Sequence, residues 1–350
     1  MPGASATETG GVGLAIEARG LEKRYGEIAA LRGVDLAVPV GACFGLLGPN
    51  GAGKTTTVGI LTTLLAPTAG SARLCGFDVV REQRRARECL GVVFQESTLD
   101  RDLSAREHLD LYARLYHVAD RRRRVDEILA LIGLVQEAGR PARQLSGGQK
   151  RRLEIGCGLL HRPRVLFLDE PTLGLDVLAR SAIWQHLRAL RREHGTTIFL
   201  TTHSMEEADG LCDRLAIVDA GRVVAEGSPE ALKRALGGDL VLLRLERGEA
   251  ALERLGAAPG VRSLRREPEP ASRVGAASRA EPGIGFRVTL SDGPRQLAAL
   301  LEAAAPCGVL EVALQRPTLE HVFLHHAGRA FAVGDADASA RESAAPEHPA

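Results

Sequence analysis

Two domains are predicted by this sequence: a larger α/β domain wound around a parallel sheet, then a smaller α+β domain. Three observations predict them. First, a short apolar run over residues 42–47 leads into Gly48-Pro49-Asn50-Gly51-Ala52-Gly53-Lys54-Thr55, and an apolar-periodic stretch follows from Thr55 to Leu65. Strand, glycine loop and helix in that order form a unit of a parallel α/β sheet. Second, Val165-Leu166-Phe167-Leu168 runs into Asp169-Glu170. That pattern is a buried parallel strand with its polar groups at the carboxyl end, where ligands gather in open α/β sheets. Third, beyond about residue 237 the pattern restarts as β-α-β-β-α-β, the order of a ferredoxin-like domain.

The elements follow in order. Residues 1–13 are small and glycine-rich and are expected to be disordered. Val34-Asp35-Leu36-Ala37-Val38 alternates, which reads as a half-exposed strand. Over about 97–160 the spacing becomes helical, with Leu103, Leu109, Leu111 and Leu115, then Val125, Ile128, Leu129 and Ile132. A helical insertion therefore separates the strand ending at Phe94 from the Val165 strand. Arg121-Arg122-Arg123-Arg124 lies between two of these helices and reads as a solvated helix start, because four local charges define no patch for nucleic acid or phospholipid. Strands and helices then alternate through about Gly237, including the strand Thr197–Thr202.

In the second domain, spanning 238–327, strands are expected at 240–245, 261–264, 285–290 and 309–314, with helices at 249–255 and 294–304. The Pro-, Ala-, Ser-, Gly- and Arg-rich residues 267–283 read as a loop. A last amphipathic helix over 318–326 places Leu319, Val322 and Phe323 on one face. His321 and His325 stand four apart on it, but no carboxylate or cysteine completes a metal ligand set. Residues 328–350, rich in Ala, Glu and Pro, are expected to be disordered.

Composition excludes several function classes. The 350 residues carry a formal net charge of +1, so no strong field for nucleic acid exists. Six cysteines form no Cys-x-x-Cys pair and read as reduced, buried thiols. No apolar run approaches the ~18 residues that span a bilayer, and no signal peptide is visible. A transmembrane path, if this chain powers one, belongs to another chain.

Three motifs carry the chemistry. The Gly48–Thr55 segment matches G-x-x-x-x-G-K-[ST] in full, with a strand before it and a helix after it. Backbone N–H groups from Gly51 to Thr55 are expected to wrap phosphates, with Lys54 on the β- and γ-phosphates and the Thr55 hydroxyl on Mg²⁺. Asp169 is expected to hold the same Mg²⁺, and Glu170 stands where a general base would polarise water. The third motif is Leu145-Ser146-Gly147-Gly148-Gln149. Ser146 and Gln149 form a capping box, and two glycines in the first helical turn suggest an anion approaching the bare N-terminus.

The three motifs, in this order, resemble the ATP-binding subunit of an ABC transporter over roughly residues 16–236. The resemblance implies a P-loop NTPase fold with a parallel core, an antiparallel β subdomain and a helical subdomain over about 97–160, within a domain spanning 14–237. It implies that Ser146, Gly147, Gly148 and Gln149 are the signature motif, binding the γ-phosphate of ATP held by a second subunit. It further implies that Tyr25 stacks on adenine, that Gly48 through Thr56 cradle the phosphates, and that Gln95 senses Mg²⁺ and faces the membrane partner. Asp176, in Gly174-Leu175-Asp176, matches the loop crossing the dimer interface, and His203 the switch histidine on the γ-phosphate. Glu170, His203 and Lys54 are thus the implied catalytic residues, Thr55, Gln95 and Asp169 the implied metal set, and ATP and Mg²⁺ the cofactors. Implied partners are a second copy and an integral membrane permease on the cytoplasmic face of the membrane, with no direct cargo contact.

Pro171-Thr172-Leu173-Gly174-Leu175-Asp176 and Thr318-Leu319-Glu320-His321-Val322-Phe323-Leu324 look like the daunorubicin-resistance branch, in which an aspartate usually stands at the place of His321. That branch implies export of a drug or hydrophobic natural product; lipid or polysaccharide export is the alternative. A soluble ABC ATPase without a permease would bring a tandem repeat or a coiled coil, and the chain has neither. An ATP-binding regulator would not need Glu170. The accessory domain is expected to stabilise the dimer or fix permease pairing.

Overall fold

The computed structural model of the chain describes residues 13–247, 251–266, 283–315 and 317–327. The expected disordered termini, the 267–282 loop and the first residues of the helix expected from Glu249 lie outside these residues. The described residues divide into two compact units, one ending at Ser228 and one beginning at Pro229.

The first unit opens with β1 (Leu14–Tyr25), β2 (Ile28–Pro39), β3 (Cys43–Leu47), α1 (Lys54–Leu61), β4 (Ala69–Leu74), β5 (Phe77–Asp78), α2 (Gln83–Glu88) and β6 (Leu90–Val93). The helical insertion follows as α3 (Ala105–Leu115), α4 (Arg121–Leu131) and α5 (Gly147–Leu159). The unit closes with β7 (Val165–Asp169), α6 (Val177–His194), β8 (Thr197–Thr202), α7 (Met205–Leu211), β9 (Arg214–Asp219) and β10 (Arg222–Gly227). Two sheets result: an antiparallel one in the order β2-β1-β4-β5, and a six-stranded one in the order β10-β9-β3-β8-β7-β6. In the larger sheet every pairing from β9 to β6 is parallel, and only β10 runs against it.

Register positions the site. Leu47 lies opposite Thr202, and Asp169 opposite Thr201, so the phosphate loop, Asp169-Glu170 and His203 all leave the sheet at one edge. Phe44, Phe199 and Phe167 line up across these strands, with ring centroids 5.7 and 5.4 Å apart and no solvent exposure. Burial on both faces explains why β3 and β7 are apolar nearly throughout, while β8 buries Ile198, Phe199 and Leu200 between threonines.

Three local expectations need correction. The helix expected to Leu65 ends at Leu61, because Thr63 turns left-handed (φ 64°) and the amides of Leu64 and Leu65 fold back to the Gly59 carbonyl. On α3 the buried stripe is Ala105, His108, Leu109 and Ala113; Leu111 and Leu115 face solvent, and Leu103 precedes the Ser104 cap. The arginine run starts α4, but Arg124 is half-buried and donates to the Leu159 and Leu160 carbonyls at the end of α5, so one of the four charges caps a neighbouring helix.

The second unit contains α8 (Pro229–Ala235), β11 (Asp239–Leu245), α9 (Ala251–Gly256), β12 (Val261–Arg266), β13 (Ile284–Leu290), α10 (Gly293–Ala304), β14 (Val309–Gln315) and α11 (Leu319–Ala327). Its antiparallel sheet runs β12-β13-β11-β14, the strand order of a ferredoxin-like domain. Val241, Leu243, Leu245, Phe286, Val288 and Leu290 form its core with α9 and α10. Helix α8 packs on α11, which is why the unit begins at Pro229 and not near 237. Among the described residues no helix is long and apolar enough to cross a membrane.

Candidate functional site

The phosphate loop is shaped by its glycines. A side chain at Gly48 would place a Cβ 2.4 Å from the Val218 carbonyl oxygen. Gly53 holds φ 101°, and its Cβ would meet the Ala30 carbonyl oxygen at 2.8 Å. Only glycine fits either position. The loop lines a cavity of about 490 Å³ together with Ala30, Gln95 and Glu170. Lys54 is 5% exposed and donates to the carbonyls of Gly48 (2.8 Å) and Pro49 (3.2 Å). Its Nζ lies 3.4 Å from Glu170 Oε1. Burial lowers the ammonium pKa, and the Glu170 charge opposes that shift.

The two carboxylates at the end of β7 differ in setting. Asp169 is buried, and its Oδ1 accepts a short hydrogen bond from the Thr201 hydroxyl. Glu170 has left the strand with φ 46° and reaches Lys54 through one oxygen and His203 Nδ1 (3.1 Å) through the other. Burial pushes the Glu170 carboxyl up, but the His203 hydrogen bond and the nearby cations outweigh it, leaving the pKa below the usual value of 4.5. The hydrogen bond that His203 donates to Glu170 holds the imidazole pKa above 6.5, against the effect of burial. Glu170 is therefore ionised near neutral pH, a form that can accept a proton from water.

Other predicted residues stand outside this cavity. Tyr25, at the end of β1, is exposed, with the Lys23 ammonium 5.2 Å from its ring centroid. Ser146 caps α5: its oxygen accepts from the Gln149 amide (3.2 Å), while Gln149 Oε1 accepts from the Ser146 amide (2.9 Å). Ser146 and Gly147 face solvent, and no residue from 145 to 149 lines the cavity. The two glycines have different causes. A Cβ at Gly148 would stand 2.9 Å from Ala179 Cβ on α6, so packing alone excludes a side chain there. A Cβ at Gly147 would meet only the mobile end of Leu175, at 3.3 Å. Asp176 uses one carboxylate oxygen to cap α6 at the Ala179 amide, 2.8 Å away.

Two site residues escape sequence reasoning. Thr201 bridges the neighbours, donating to Asp169 and accepting from the Glu170 amide at 3.1 Å. A threonine pair ending a buried strand just before His203 was its only signal. Arg151 sits on α5 and gave none.

The residues fit a nucleotide polyphosphate and a divalent cation. The glycine-shaped loop and Lys54 suit phosphate oxygens, and the Thr55 hydroxyl, Gln95 amide and Asp169 carboxylate are hard oxygen donors suited to Mg²⁺. Comparison with known proteins agrees. The ABC transporter family profile matches residues 31–173. A daunorubicin resistance ATP-binding protein of Streptomyces coeruleorubidus is 43% identical over 320 residues, covering 90% of this chain and 96% of that protein. This chain belongs to the ABC transporter ATP-binding proteins. A Nod factor export ATP-binding protein of Ralstonia nicotianae is 45% identical over 229 residues, 65% of this chain and 71% of that protein. A dimeric ATP-binding cassette solved in a post-hydrolysis state with ADP and phosphate matches this ABC ATPase at TM-score 0.55 and 30% identity, covering 61% of this chain and 98% of that one.

Proposed function

We propose that this ABC ATPase hydrolyses ATP with Glu170 as general base and drives a separate membrane permease. One observation carries the catalytic part: beside the phosphate loop, Glu170 is held between Lys54 and His203 at 3.4 and 3.1 Å. ATP, when bound, would supply the γ-phosphoryl group, and a Mg²⁺ held by Thr55, Gln95 and Asp169 would neutralise phosphate charge. Lys54 turns from carbonyls and Glu170 to phosphate. Glu170 keeps a free acceptor oxygen for water, and His203 orients it. Ser146, Gly147 and Gly148 serve the nucleotide of a second copy, whose signature segment serves this one; the match to a dimeric cassette supports that reading.

Support for a permease comes from a groove of about 320 Å³ in which Val92, Phe94, Tyr112 and Tyr116 stand beside Arg87 and Glu96. Phe94 adjoins Gln95, so a permease segment seated there bears on the nucleotide cavity. Attachment of this kind would hold the ATPase at the cytoplasmic face of the membrane. The cargo reading is export of a drug or hydrophobic natural product, because the daunorubicin-resistance match extends into the second unit while the Nod factor match is shorter. Lipid or polysaccharide export is the second reading.

Co-purification of the permease with this subunit, followed by ATPase assays with candidate cargo, tests the proposal. Stimulation by a planar hydrophobic drug is expected. Stimulation by oligosaccharide or lipid alone supports the second reading, and absence of any membrane partner removes both.

A further inference from the structure

Glu170 adopts φ 46°, a left-handed backbone that side chains other than Asn and Asp rarely take. Such a conformation persists only where its surroundings over-determine it. On the amide side, Thr201 does so, accepting from the Glu170 N–H through its carbonyl (3.2 Å) and its hydroxyl (3.1 Å). On the carbonyl side, the Leu173 amide donates to the Glu170 carbonyl (3.3 Å), and one side chain reaches all three carbonyls of the turn. Arg151 Nη2 donates to the carbonyls of Asp169 (2.7 Å) and Glu170 (3.3 Å), and its Nε donates to Pro171 (3.0 Å). Its Nη1 donates to the carbonyl of Phe94 (2.6 Å), the residue before Gln95. The charge is 7% exposed and is neutralised by Glu154 at 2.9 Å.

This set of bonds is a matched design. Three successive carbonyls of a strained turn, and a fourth from the segment that delivers Gln95, converge on one rigid planar fork with five donors. Lysine, with three donors around a point, cannot reproduce the plane. We propose that Arg151 is a positioning residue for ATP hydrolysis, holding the left-handed turn that aims Glu170 at the phosphate loop and fixing the approach of Gln95 to the same cavity. The inference rests on Glu170 being the hydrolytic base.

The test compares full-length Arg151→Lys, Arg151→Ala and Glu170→Gln for turnover, KM, binding of a fluorescent ATP analogue, and melting temperature. Arg151→Lys is expected to lower kcat about tenfold or more, because small misplacements of a reacting group are costly. Its nucleotide affinity is expected to stay near that of the parent, while the carbonyls that lysine leaves unpaired lower the melting temperature without unfolding the protein at assay temperature. Millimolar guanidinium is expected to restore part of the Arg151→Ala turnover, with ammonium ineffective. Unchanged kcat in Arg151→Lys overturns the proposal. So does a kcat loss that tracks lost affinity and lost folded protein, or a folded Arg151→Ala that guanidinium does not restore. Should Arg151→Ala fail to fold, the kcat-against-KM split of Arg151→Lys decides alone. Full turnover in Glu170→Gln would instead remove the base assignment. An inactive Glu170→Gln beside a normal Arg151→Lys would sink only the positioning role.

Discussion

The phosphate loop and the signature segment are both glycine-rich starts of helices, yet the chain finishes one and leaves the other open. Around Lys54 the protein brings its own cavity wall and a carboxylate that in turn bonds a histidine. Around Ser146 it supplies only a satisfied capping box facing solvent. On the proposed reading, the difference means that one half of a nucleotide site is built by folding and the other half comes from a second copy. Each half can therefore be damaged separately.

The largest expected effect lies in the finished half. Glu170→Gln is expected to lower turnover roughly 10²–10⁴-fold, the usual contribution of a general base, while ATP binding survives. With ATP present this variant is also expected to elute as a dimer in size-exclusion chromatography; a monomer under those conditions would break the comparison. Next comes the open half. Ser146→Arg is expected to cut turnover about a hundredfold by spoiling the geometry of the assembled site. ATP affinity of the monomer, read by equilibrium binding, should hardly move, and a large drop in that affinity would mean Ser146 serves its own nucleotide.

The two signature glycines sharpen the comparison further. Gly148→Ala forces apart α5 and α6, and overpacking of this kind costs about 1–3 kcal/mol. Thermal melting should record it. Gly147→Ala needs only a small shift of the Leu175 side-chain end, so its melting temperature should stay close to the parent while turnover falls; equal melting losses in both would assign both glycines to packing.

The smallest effect is a pH dependence. A histidine raised above 6.5 in the folded state adds stability below that value and loses it as pH rises through the folded pKa. Glu170, held below 4.5, adds stability above that value and loses it as pH falls through its own folded pKa. The melting-temperature gap between parent and His203→Ala should thus be widest between these limits and close above them. A gap that grows with alkaline pH would contradict the pairing.

Much of the site was legible because its parts are local. Gly48–Thr55 and Val165–Glu170 announce themselves by contiguous residues whose period and punctuation have one physical reading. Gly148 was legible as unusual, but its cause was not, because Ala179 lies on another helix. Arg151 was illegible altogether. Its role depends on carbonyls, which every residue carries and no sequence displays. Tyr25 is exposed next to Lys23, with its ring open to the adenine expected there. Leu111 and Leu115 kept a helical spacing yet face solvent, since periodicity identifies a stripe without saying which stripe the neighbours cover.

The row Phe44–Phe199–Phe167 has a consequence for anyone who would recombine such ATPases. The strands β3, β8 and β7 deliver the phosphate loop, His203 and Glu170 from one aromatic layer, so a crossover between two parents inside that layer would graft loops onto a mismatched floor. Exchanging all three strands as a block keeps the floor, and the loops with it, intact.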